Sequence, residues 1–197
     1  SDVYKRQVRA WRPDEPERPA ATLARRGLPA WGLALLEASP EAATVGVVTQ
    51  SGAVARLQVE GSAAARWTDV PDALFRCAAP LSDGDLVAGG ANGRLCVLDP
   101  RGAVKARADD VGDTLVDSVA VSADGRTAIA GLEDGRVVLW ALGGSSSRLL
   151  GTHAGSVAAV AALPDGRVAS ASRDRTVRVW SEDAGEVGRL DLGKVAD

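Results

Sequence analysis

His153, Ser170 and Asp174 carry the strongest chemical suggestion in this chain, and His153 is the one histidine in 197 residues. A hydroxyl, an imidazole and a carboxylate are the parts of a nucleophilic hydrolase, in which the ring takes the hydroxyl proton and the carboxylate orients the ring. The same three groups, joined by the indole N–H of Trp180, can instead satisfy one another's hydrogen bonds in a buried network. Each would be costly to bury alone. The surroundings decide between the two. Residues 163–180 read LPDGRVASASRDRTVRVW, with a tight turn at Pro164-Asp165-Gly166 and a strand of small and β-branched residues over 167–172. A second turn follows at Arg173-Asp174-Arg175, and then a strand over 176–180 in which Val177 and Val179 alternate with Thr176 and Arg178. Asp-Gly between apolar runs marks a hairpin, and alternation of period two marks strands. No Gly-x-Ser-x-Gly elbow presents a serine anywhere in the chain. The structural network is the reading adopted.

Other chemistry is weaker still. Residues 188–194, GRLDLGK, fit the spacing of a phosphate-binding loop, but Val195 offers no hydroxyl for Mg²⁺ and no helical pattern follows. One histidine and two distant cysteines, Cys77 and Cys96, make no zinc spacing, and no acidic loop matches the calcium pattern. Paired carboxylates at Glu133-Asp134 and Glu182-Asp183 stand in turns, where solvation explains them. We expect no catalytic residue, no cofactor and no metal.

The elements that position these residues repeat. Strands end at Leu57, Leu98, Trp140 and Trp180, at spacings of 41, 42 and 40. Six residues before each end stand the turn formers Ser51, Asn92, Asp134 and Asp174, followed by Gly52, Gly93, Gly135 and Arg175. Ten residues before each stand Val47, Ala88, Ala130 and Ser170, and earlier turns recur at Asp83-Gly84, Asp124-Gly125 and Asp165-Gly166. His153, Ser170, Asp174 and Trp180 together resemble one WD-type repeat of a β-propeller blade, whose period is about 40–45 residues. The third repeat keeps Asp134 and Trp140, the second only Asn92, and the first none of the set.

The resemblance implies an all-β propeller of four-stranded antiparallel blades. Four repeats are expected over residues 26–66, 67–107, 108–149 and 150–192. Residues 8–25 are expected to supply the third and fourth strands of a preceding blade, with the charged, proline-rich stretch 12–19 as a loop between them. Ser1 to Gln7, SDVYKRQ, resemble translated sequencing adapter and are set apart as a non-native leader. A seven-bladed ring needs on the order of 300 residues, so the chain reads as a fragment with an incomplete ring. Trp31, Leu33 and Leu35 alternate, which predicts a strand over 31–38 in spite of its helix-favouring Ala, Leu and Glu. Gly143 to Ser147 reads as a flexible loop, and Asp109, Asp110 and Asp113 as solvated.

Composition sets outer bounds. Hydrophobic residues make up 46% of the chain and aromatics only 4%, so single tryptophans carry much of the packing. A net charge of −3 leaves no basic footprint for nucleic acid. No apolar run reaches the 18 or so residues that would span a bilayer. Cys77 and Cys96 fall on the first and third strands of one repeat, too far apart for a disulfide, which suits reduced thiols in an intracellular protein, cytoplasmic or nuclear.

The resemblance further implies a non-catalytic platform for protein–protein contact, with other proteins as partners and neither nucleic acid nor membrane. The turn residues Gln50, Glu133, Arg173 and Arg175 form its candidate contact face. The alternative is a regulatory or targeting module of a larger enzyme. A ligand site in the ring's channel would call for several acidic or histidine residues at matching repeat positions, and none is evident.

Overall fold

Tight reversals fall where the Asp-Gly pairs stand. In the computed structural model of the chain, Gly84, Gly125 and Gly166 have φ of 81°, 70° and 84°, a left-handed backbone that glycine adopts without a Cβ clash. The preceding aspartate closes each turn. Oδ1 of Asp83, Asp124 and Asp165 accepts the backbone N–H two residues on, at 3.1, 3.0 and 3.2 Å.

The structure describes residues 7–12, 15–25, 30–38, 43–58, 66–71 and 73–193, and these form strands and turns without a helix. β1 (Gln7–Arg12) and β2 (Glu15–Arg25) make a two-stranded sheet. Four antiparallel four-stranded sheets follow. The first holds β3 (Ala30–Ala38), β4 (Ala43–Thr49), β5 (Ala53–Gln58) and β6 (Arg66–Asp69). The second holds β7 (Phe75–Pro80), β8 (Leu86–Gly90), β9 (Leu95–Leu98) and β10 (Val104–Arg107). The third holds β11 (Val116–Val121), β12 (Thr127–Leu132), β13 (Arg136–Ala141) and β14 (Ser147–Thr152). The last holds β15 (Val157–Ala162), β16 (Val168–Ser172), β17 (Thr176–Ser181) and β18 (Gly185–Asp191). Within each sheet the strands lie in chain order.

First strands stand side by side: β3 packs on β7, β7 on β11, and β11 on β15. The sheets are therefore stacked face to face as successive propeller blades, and among the described residues the row does not close into a ring. A sheet between two neighbours must be apolar on both faces, which is why β8 (LVAGG) and β9 (LCVL) are buried throughout. Three cores fill the three interfaces. Val48 and Val54 meet Phe75, Leu86 and Leu98. Val87 and Val97 meet Val116, Leu132 and Trp140. Ile129 and Leu139 meet Val157, Val168 and Trp180.

Several local expectations change. β2 begins at Glu15, inside the stretch read as a loop. Pro16 falls where the register jumps from Trp11↔Pro19 to Arg12↔Glu15, an irregular span that needs no N–H from proline. β6 runs past residue 66 and β14 past residue 149 because each fourth strand must reach the start of the third, pairing Asp69 with Ala53 and Thr152 with Arg136. The segment 143–147 is tied down. Gly144 C=O accepts the Trp140 indole N–H at 2.8 Å, Ser145 C=O accepts the Asp109 N–H at 2.8 Å, and Asp110 Oδ1 accepts the Ser147 N–H at 2.7 Å. That last bond holds the Asp110 carboxyl below its ordinary range. Asp109 pairs with Arg107 at 2.6 Å. Residues 30–38 form a strand, yet its alternating apolar side chains, Trp31, Leu33 and Leu35, are 46, 58 and 56% exposed.

Candidate functional site

Asp174 sits in the turn between β16 and β17, Ser170 in the middle of β16, Trp180 near the end of β17, and His153 in the segment that leads into β15. The structure brings these four together. His153 Nδ1 lies 3.0 Å from Asp174 Oδ2 and 3.1 Å from Thr176 Oγ1. His153 Nε2 lies 2.7 Å from Ser170 Oγ, which also accepts the Trp180 indole N–H at 2.7 Å. An ionised carboxylate only accepts, so the proton sits on Nδ1 and Nε2 accepts from the serine. The chain of donors runs one way: Trp180 to Ser170, Ser170 to His153, His153 to Asp174. The imidazole and indole also meet edge to face, at 5.7 Å between centroids.

Three further residues complete this set, and the sequence reading passed over them. The Thr176 hydroxyl and amide both donate to Asp174 Oδ1, at 2.7 and 2.9 Å. Ser172 Oγ accepts the Asp174 N–H at 3.0 Å and donates to Gly155 C=O at 2.8 Å. Arg178 reaches Asp174 Oδ2 at 3.3 Å and Thr152 C=O at 3.1 Å. The legible signal was Asp-x-Thr at a turn, where short polar side chains bond nearby backbone. Burial opposes the charge on Asp174. Hydrogen bonds from the Thr176 hydroxyl, the Ala154 amide and the His153 ring outweigh it and hold the carboxyl well below the usual range.

Such a set has the connectivity of a hydrolytic triad but not its access. Ser170 and His153 are 2 and 3% exposed. One Ser170 lone pair is taken by the indole N–H. A nucleophile must be reached by its substrate, and this hydroxyl lies beneath the packed face of the fourth sheet.

Asp134 and Trp140 do not join that network. Ala130 stands where the fourth sheet has Ser170, so the Trp140 indole donates to Gly144 C=O instead. Asp134 accepts from Arg136 Nε at 2.8 Å, and Arg136 Nη2 reaches Val111 C=O at 2.7 Å. The guanidinium thus links the turn to the segment before β11, as His153 does before β15. Gln50, Glu133, Arg173 and Arg175 are exposed in turns between second and third strands. Arg175 has φ 67°, where the other repeats place glycine.

A second polar chain crosses the first strands. Arg76 on β7 lies over the Trp31 ring of β3 at 4.7 Å and pairs with Asp117 of β11 at 2.5 Å. Asp117 Oδ2 accepts Ser156 Oγ at 3.0 Å, just before β15. Repeat spacing alone had not exposed this link, because its members differ in chemistry from sheet to sheet.

Cys77 and Cys96 are free thiols on β7 and β9, and burial pushes both up to about 12. Of the GxxxxGK stretch, Gly188 to Asp191 lie within β18, and Lys194 lies outside the described residues. Among the described residues no His, Cys, Asp and Glu group could hold a metal ion, and no helix is long and apolar enough to cross a membrane.

Residues 111–141 and 144–181 match the WD domain, G-beta repeat family. These two stretches are WD repeats. The two matches fall on the third and fourth sheets, the two whose third strands carry a tryptophan next to their last residue. WD repeats generally build propeller modules for protein interaction, and the family is typically non-catalytic. No curated protein matches the chain.

Proposed function

We propose that this WD-repeat chain is a non-catalytic platform for protein–protein contact. The carrying observation is the row of four stacked sheets whose turns between second and third strands emerge together at one end, with Gln50, Glu133, Arg173 and Arg175 exposed there. In this reading the His153–Ser170–Asp174–Trp180 set is a staple that fixes the turn of one blade to the segment entering it. The Arg136 bridge from Asp134 to Val111 is a substitute staple in the blade before. β1 and β2 are the third and fourth strands of a preceding blade. The half-exposed Trp31, Leu33 and Leu35 of β3 support that assignment, since they lie on the side where a preceding blade would stack. High-pKa thiols at Cys77 and Cys96 suit an intracellular, cytoplasmic setting.

Charge reversal at Glu133 and Arg173 tests the platform. Surface changes of this kind usually stay within about 0.5 kcal/mol of stability, so Glu133→Lys and Arg173→Glu should melt like the parent. In an affinity pull-down read by mass spectrometry, each should lose partners that the parent retains. Recovery of the same partners in the same amounts by both variants would remove these turns from the contact face.

A further inference from the structure

The seam between the third and fourth sheets opens into a cavity of about 330 Å³, at the end carrying the Asp-Gly turns and opposite the end carrying Asp174. Its floor is apolar, formed by Ile129, Leu139, Leu150 and Val168, and Asp124, Arg167 and Glu182 stand at its rim. At the same end of the seam between the second and third sheets an aliphatic side chain takes this place. There Leu142, two residues after Trp140, packs with Leu81 and Val121 on the cluster that holds Val87 and Val97. Two residues after Trp180 the chain has Glu182 instead. A carboxylate cannot be laid on an apolar floor without losing its hydration. Glu182 turns outward to Arg148, and the floor stays open.

One rim carboxylate stands outside any ion pair, with the Arg126 charge acting on it. Arg167 is engaged by Asp165 at 2.6 Å, and Glu182 by Arg148. Asp124 has no ion-pair partner among the described residues. Its Oδ1 takes both hydrogen bonds, from Ser122 Oγ at 2.6 Å and from the Arg126 N–H at 3.0 Å, leaving Oδ2 toward solvent. Those bonds, the Ser122 one first, hold its carboxyl below the ordinary range, so it is ionised at neutral pH.

We propose that this seam is a peptide-docking groove that seats an aliphatic side chain of a partner segment, with a flanking Lys or Arg of that segment meeting Asp124. The volume lies at the small end of ligand pockets, which suits an aliphatic side chain or two better than a cofactor. Opposite charge at the rim steers and orders such a segment, while burial on the floor anchors it. The groove is at the far end from Glu133 and Arg173, so it stands or falls separately from the contact face described above.

Titration of the ¹⁵N-labelled chain with three acetylated pentapeptides tests this: Gly-Lys-Leu-Lys-Gly, Gly-Glu-Leu-Glu-Gly and Gly-Lys-Ser-Lys-Gly. Amides of Thr127, Val168 and Glu182 should shift saturably with the first, far less with the second, and not with the third. Glu182→Leu copies the aliphatic side chain of Leu142, so that variant should keep the parent's dispersed spectrum and lose the shifts. Asp124→Asn should weaken the lysine peptide toward the level of the glutamate one. Shifts that are absent, equal for leucine and serine peptides, or unchanged in both variants would overturn the proposal.

Discussion

Ser170 Oγ is the point where the buried network closes, since it receives the indole proton and gives its own to the imidazole. Removing any one member strands a buried partner, at about 1–3 kcal/mol per unsatisfied group. His153→Ala and Asp174→Ala should each lower the melting temperature by a similar amount. The double variant should cost clearly less than the sum, because members of one network are not additive. Melting curves of both singles and the double decide this, and additive shifts would mean the residues act independently. Asp174 also sets a pH dependence. Its folded carboxyl titrates below the unfolded value of about 3.9, so its contribution is present above that value and is lost as pH falls through the folded one. Stability should hold on acidification to about pH 5 and then drop, with a shallower drop in Asp174→Asn. Arg175 poses the opposite test. A side chain at φ 67° carries strain that glycine lacks, so Arg175→Gly should leave stability unchanged or higher in spite of the freer unfolded chain.

At the scale of sheets, small residues set how closely one face approaches the next. A Cβ at Gly131 on β12 would lie 2.5 Å from Val157 Cγ1 of β15, and one at Gly89 on β8 the same distance from Val116 Cγ1 of β11. Gly151 on β14 is the seat of the Trp180 ring, whose Cζ3 would come within 2.1 Å of an added Cβ. Gly188 on β18 is different, since its nearest atom would be Val179 Cβ at 3.6 Å, an ordinary contact. Gly131→Ala should therefore destabilise by about 1–3 kcal/mol through overpacking, whereas Gly188→Ala should be close to neutral. Equal denaturant midpoints for the two would show that the sheets separate freely and that their contact is not the limiting fit.

For the molecule as a whole, the row of sheets has an uncovered apolar strand at its leading side. Trp31, Leu33 and Leu35 lie on one face of β3 and are about half exposed, a contiguous patch of the kind that drives association. The isolated chain should self-associate with rising concentration. Leu33→Lys with Leu35→Lys should reduce that association without lowering the melting temperature, because neither side chain is part of a core cluster. Analytical ultracentrifugation of parent and variant reads the difference directly, and a parent that stays monomeric would remove the patch as a cause of association.

The sequence by itself determined most of the strands, their period and the four residues of the last repeat that meet. Turn chemistry and alternation are local properties, and Asp-Gly at three matching positions fixes where the chain reverses. It also showed that the pattern decays toward the N-terminus, as Ala130 replaces the serine and no histidine precedes β11. Only the tertiary structure decided how the weaker repeats hold together. Arg136 reaches Val111 C=O across 25 residues of chain, and Arg76 joins Trp31 and Asp117 from two neighbouring sheets. Those partners are set by how sheets stack, which no spacing within one repeat encodes. The same holds for β3, whose alternation correctly marks a strand but cannot say which face is covered. Coverage depends on the neighbouring sheet, so Trp31, Leu33 and Leu35 look like core in the sequence and stand open in the fold.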